Sequence, residues 1–91
     1  MSLSSSYEIV FDQQAEKDIK HLWKANPKIF YKIRETIDNL CREPFCGKSL
    51  KGEKKGCYSV RQGTFRIIYE VYIDERVIHI IRVSHRKDVY R

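Results

Sequence analysis

The sequence predicts an α+β domain: an N-terminal strand, a helical hairpin and a three-stranded antiparallel meander, forming one sheet with both helices on one face. Three observations carry this reading. Two alternating runs rich in Val, Ile, Tyr and Phe, residues 58–62 and 65–70, flank Gly63-Thr64, the arrangement of a tight hairpin. Apolar residues recur at helical spacing over 13–24 and again over 27–42. A further apolar run, residues 77–84, follows Asp74-Glu75-Arg76 and reads as a returning strand.

Taken in order, residues 1–6 (MSLSSS) carry no pattern and are expected to be a disordered or vector-derived lead, leaving 7–91 as one domain. Residues 7–11 (YEIVF) form a short strand with Tyr7, Ile9 and Phe11 on one face. Asp12 then caps a helix over 13–24 whose apolar stripe is Ala15, Ile19, Leu22 and Trp23. Asn26-Pro27 starts a second helix, to about Arg42, burying Phe30, Ile33, Ile37, Leu40 and Cys41, and Pro44 with Gly47 stops it. Residues 45–56, rich in Gly and Lys, read as a loop; the order of a phosphate-binding loop is absent.

A glycine at the first central position suits a two-residue type II′ turn. With Gly63 and Thr64 as that turn, Gln62 faces Phe65, Arg61 faces Arg66, Val60 faces Ile67 and Tyr58 faces Tyr69. Two arginines thus stand opposite each other, which is mildly destabilising unless an anion lies between them. If Ile67, Tyr69 and Val71 are the core face of the middle strand, the best matches in the last strand are Val77, Ile81 and Val83, and that matching needs a three-residue turn, 74–76. That sets Arg66 opposite Ser84 and gathers Arg61, Arg66, Arg82 and Arg86 on one surface away from the helices. A two-residue turn would reverse the last strand, and no Asn-Gly or Asp-Gly pair selects between them.

Charge follows the same half of the chain. Residues 1–50 hold eight Lys or Arg and seven Asp or Glu, whereas 51–91 hold ten and five, so +5 of the net +6 lies in the hairpin half. A basic patch on a small domain points to a polyanion, nucleic acid above all. Cys41, Cys46 and Cys57 form no CxxC pair, which argues against a disulfide framework or a zinc site and for reduced thiols. No apolar run approaches the roughly 18 residues that span a bilayer, and no secretory pattern opens the chain; a cytoplasmic protein without a membrane partner is expected.

The tail, SHRKDVYR, puts a histidine, three cations and a tyrosine within eight residues. Metal-free RNA cleavage needs a base for the 2′-OH, an acid for the departing 5′-oxygen and cations for the phosphate, and these residue types supply them.

The order LKG (50–52), GCYSVRQGTFRIIYE (56–70) and VSHRKDVYR (83–91), behind a strand and two basic amphipathic helices, resembles the RelE/ParE superfamily of toxin–antitoxin toxins, on its RelE side. The likeness covers essentially the whole chain after residue 6. It implies a microbial-RNase-like fold and a ribosome-dependent endoribonuclease that cleaves mRNA in the A site by 2′-OH attack, stopping translation without metal or cofactor. Its implied partners are the ribosome, mRNA and a cognate RelB-like antitoxin, with the toxin–antitoxin complex binding operator DNA through the antitoxin.

Carried over by position, Arg66 matches the arginine assigned to the scissile phosphate, Arg86 the arginine assigned to the transition state, and Tyr90 the tyrosine that stacks on or positions the target nucleotide. Arg61 stands where some members have a catalytic lysine. His85 is the candidate for proton transfer, because an imidazole titrates near neutrality. Lys51, Lys54, Lys55, Ser59, Arg82 and Lys87 are expected to contact RNA. Ser59 departs from the family pattern, occupying a position that is lysine in the best-known RelE sequences, which leaves the general base open. Two alternatives follow from the same resemblance: a ParE-like DNA gyrase inhibitor, or a catalytically inactive RNA- or antitoxin-binding relative.

Overall fold

The computed structural model describes residues 6–52 and 56–85. Its strands are β1 (Glu8–Phe11), β2 (Lys48–Ser49), β3 (Cys57–Gln62), β4 (Phe65–Tyr72) and β5 (Val77–His85), and its helices are α1 (Gln13–Ala25) and α2 (Pro27–Leu40). The strands form one mixed sheet in the order β1-β5-β4-β3-β2, with β1 parallel to β5 and the other pairs antiparallel. One strand joins the expected four. β2 lies within the stretch read as a loop, where two paired residues are too few to show alternation.

The helix boundaries follow from their caps. The Asp12 carboxylate accepts from the Gln14 N–H at 3.4 Å, and the Asn26 side chain accepts from the Ile29 N–H at 3.4 Å with Pro27 in the first turn. α2 ends at Leu40 rather than Arg42, since the amides of Cys41 and Arg42 reach back three residues, to Asp38 and Asn39. Burial pushes the Cys41 thiol pKa up.

Both helices cover one face of the sheet. Ala15, Leu22, Ile33, Ile37 and Leu40 meet Ile67, Tyr69, Ile78, Ile80 and Val83 in a single core. Trp23, expected in the buried stripe, is instead 48% exposed. Its ring packs edge-on against Phe30 at 5.0 Å and Tyr31 at 5.9 Å, where it joins the two helices near their connection.

The hairpin register agrees with expectation, pairing Tyr58 with Tyr69, Val60 with Ile67, Arg61 with Arg66 and Gln62 with Phe65. Gly63 takes φ +63°, and Thr64 is not left-handed, as a type II′ turn requires. The last turn differs. Tyr72 pairs with Val77, so four residues make the turn, and Arg76 closes it at φ +59°. Tyr69 therefore meets Ile80 rather than Ile81, and Val71 meets Ile78 rather than His79. A β-bulge at Ile81 then absorbs one residue, and Ile67 meets Val83 and Arg66 meets Ser84 after all.

Tyr69 is fully buried at the centre of this sheet. Its hydroxyl donates to the Pro44 carbonyl at 2.9 Å and accepts from the Gly47 amide at 3.1 Å, tethering the segment that carries β2. Burial pushes its pKa up to about 12. An unfolded tyrosine ionises near pH ~10, so the stability Tyr69 contributes is complete below that pH and is lost as pH rises toward about 12. Denaturant titrations between these limits should show falling stability in the wild type and a shallower fall in Tyr69→Phe. Equal slopes would remove Tyr69 as the cause.

Candidate phosphate site on the open face of the sheet

Alternation of β3 and β4 sends Ser59, Arg61, Arg66 and Ile68 to the face opposite the helices. Arg66 is only 9% exposed there, with Ser59 and Ser84 also buried beside it, while Arg61 reaches solvent. The Arg66 Nη1 donates to Ser59 Oγ at 3.3 Å. A cleft of about 230 Å³ opens at this point, lined by Gly47, Lys48, Ser59, Arg61 and Arg66 among others. Desolvating a guanidinium is costly, and the two arginines opposite each other make this part of the open face electropositive.

Lys48 is the residue that sequence reasoning missed. It pairs with Ser59 across the β2–β3 ladder, which places it on the arginine face. Only the short β2 pairing reveals this. Lys51, which sequence reasoning favoured, is exposed just after β2. Lys54, Lys55, Arg86, Lys87 and Tyr90 lie outside the described residues.

Two expected site residues, Arg82 of the basic surface and His85 for proton transfer, lie elsewhere. Arg82 does not extend beside Arg66; its Nε donates to the Asp18 carboxylate of α1 at 3.0 Å. The same oxygen accepts from the Val83 N–H at 2.9 Å, on the edge of β5 beyond its pairing with β1. His85 pairs with Phe65, and its ring meets that of Phe65 edge-on at 5.5 Å. It lines a cavity of about 410 Å³ that includes Asp18, His21, Leu22 and Phe65, on the helix side of the sheet. The alternation that turns Ser84 toward Arg66 turns His85 away from it.

Glu70 also lies on the open face, but it is engaged at the opposite end. It accepts from the Tyr72 hydroxyl at 2.7 Å and lies 3.5 Å from His79 Nδ1. That hydrogen bond raises the Tyr72 pKa. These contacts hold Glu70 at a distance along the strand from the two arginines.

The chain is 37% identical over 87 residues to the toxin RelG of Mycobacterium tuberculosis, covering 93% of this chain and 97% of RelG. Its fold matches that of the toxin–antitoxin complex RelBE2 from Mycobacterium tuberculosis with a TM-score of 0.79 and 34% identity, covering 89% of this chain and 92% of that one. The Staphylococcus aureus YoeB–YefM complex matches with a TM-score of 0.76 and 27% identity over 87% of this chain and 95% of that one. Residues 9–90 match the family described as the ParE toxin of the type II toxin–antitoxin system parDE. On this sequence match, carried by the same mixed sheet and helical hairpin, the chain belongs to the RelE/ParE family of type II toxin–antitoxin toxins.

Proposed function

We propose that this toxin is a ribosome-dependent endoribonuclease that cleaves mRNA in the A site. The observation that supports it best is the buried Arg66 set opposite Arg61 on the open face of the sheet, with Ser59 and Ser84 beside it. In this reading the 2′-oxygen attacks the adjacent phosphorus, its proton passes to a base, and the 5′-oxygen leaves with a proton. The phosphate gains negative charge on the way, which Arg66 and Arg61 offset from a site where water is largely excluded. Arg86 and Tyr90 join on the strength of the family resemblance, Arg86 at the transition state and Tyr90 at the nucleotide. Because His85 faces the helices, proton delivery to the leaving oxygen falls to Tyr90, with RNA contacts beyond the cleft from Lys51, Lys54, Lys55 and Lys87.

The partner that restrains the toxin is a cognate antitoxin, as the solved relatives RelBE2 and YoeB–YefM are toxin–antitoxin complexes. The ribosome presents the mRNA, and operator DNA is bound through the antitoxin.

In a purified translation system, primer extension should show new 3′ ends in the A-site codon when the protein is added. Those ends should carry a 2′,3′-cyclic phosphate or its 3′-phosphate product, and a 2′-deoxy nucleotide at the attacking position should block the cut. The family description names ParE, so supercoiling by DNA gyrase is the paired assay. Intact mRNA together with inhibited supercoiling would replace the RNase reading by gyrase inhibition.

A further inference from the structure

Lys48 reaches the arginine cleft from a different strand. Its partner across the ladder is Ser59, whose own partner on the other side is Ile68, so all three side chains leave the sheet on the face of Arg61 and Arg66. Neighbouring strands lie about 4.8 Å apart, a gap that a lysine side chain easily spans. Lys48 lines the cleft with Ser59, Arg61 and Arg66, and the described lining contains three cations and no carboxylate.

The backbone at this point is closely fixed. Gly47 donates its amide to the Tyr69 hydroxyl at 3.1 Å, and a Cβ added at Gly47 would lie 2.5 Å from that oxygen and 2.8 Å from the Ser59 carbonyl oxygen. The segment before Lys48 is thus pressed against β3 as closely as its atoms allow. An exposed lysine on a free edge would ordinarily be a solvated charge that blunts the edge. Here it lines one cleft with two arginines, so an anion that enters the cleft meets three cations at once.

Resting on the RNase reading above, we infer that Lys48 is a catalytic residue of this toxin, its ammonium donating to the scissile phosphate from the β2 side while Arg66 and Arg61 hold it from the hairpin. It stays protonated throughout and transfers no proton. Its effect is electrostatic and geometric, completing a three-sided grip on the oxygens that gain charge in the transition state.

The experiment is single-turnover cleavage of mRNA on programmed ribosomes by wild type, Lys48→Gln and Lys48→Arg, with ribosome binding and thermal unfolding measured on the same samples. Lys48→Gln should cut on the order of 10²- to 10³-fold more slowly, the loss typical of one oxyanion donor. Its ribosome affinity should change only a few-fold and its melting temperature should not move, because Lys48 is exposed. Lys48→Arg should recover most of the rate by restoring the cation. Lys48→Gln cutting at the wild-type rate would overturn the assignment and leave the RNase reading standing. So would Lys48→Arg as slow as Lys48→Gln, which would make shape rather than charge the requirement. Wild type that leaves mRNA intact would overturn both readings together.

Discussion

Arg66→Met should abolish toxicity while leaving the protein as stable as the wild type or more so. Arg66 is only 9% exposed, and Arg61 stands directly opposite it. Removing a guanidinium from water is costly, and the hydrogen bond its Nη1 gives Ser59 is one of the interactions that offset this. Replacing whole buried ion pairs by apolar side chains is often neutral or stabilising by about 1–4 kcal/mol, and here the change also removes the like charge that faces Arg61. For the reaction the balance reverses, since a cation held in a water-poor site acts at full strength on a phosphate. Its removal should slow single-turnover cleavage on the order of 10²- to 10³-fold at least. Arg66→Lys should recover only part of this loss, because an ammonium cannot present a planar pair of donors. The diagnostic result is opposite signs in the two measurements, unfolding and cleavage. A variant that melts well below wild type, and loses activity only in proportion to its unfolded fraction, would make Arg66 a structural residue.

Asp18→Ala should be the most destabilising of the polar substitutions considered. One carboxylate oxygen of Asp18 accepts both the Val83 amide and the Arg82 Nε, and the side chain is only 12% exposed. It therefore fastens α1 to β5 where β1 no longer covers the strand edge. A hydrogen bond to a charged acceptor is worth about 1.5–3 kcal/mol, and a backbone N–H left buried without a partner costs a similar amount. The Arg82 contribution is discounted because that side chain is 42% exposed and screened by solvent. A net loss of about 2–3 kcal/mol follows, or a fall in Tm on the order of 10–20 °C for a domain of this size. Asp18→Asn should lose roughly half as much, since its side-chain oxygen can still accept from Val83. A melting temperature unchanged in Asp18→Ala would show that the edge is closed by something else.

What could be read from the residues divides along physical lines. The Arg61–Arg66 pairing was legible because a two-residue turn leaves only one register and Gly63 marks its place. Both helices were legible through their caps and apolar stripes, although Trp23 shows that such a stripe does not say how far its rim is buried. The last strand was harder. Its four-residue turn and its bulge each shift the phase by one, and near Arg66 the two shifts cancel. The adjacent Ile80-Ile81 pair, an interruption of strict alternation, is the trace the bulge leaves in the sequence. Arg82 and His85 could not be placed from strand parity and composition alone. The first is drawn aside by a carboxylate 64 residues earlier in the chain, and the second packs on an aromatic ring under α1. Lys48 escaped notice because its position depends on a strand of only two residues.

The sheet is long in the middle and short at its margins. β4 and β5 run for eight and nine residues, whereas the margins are the four residues of β1 and the two of β2. A second copy seeking to continue the ladder would find little backbone to pair with on either side, and on one side a lysine in its path. The shape is one that discourages fibre growth by strand addition, even at the high local concentrations that follow fresh synthesis. The open face can thus remain basic and accessible without the margins of the same sheet becoming adhesive.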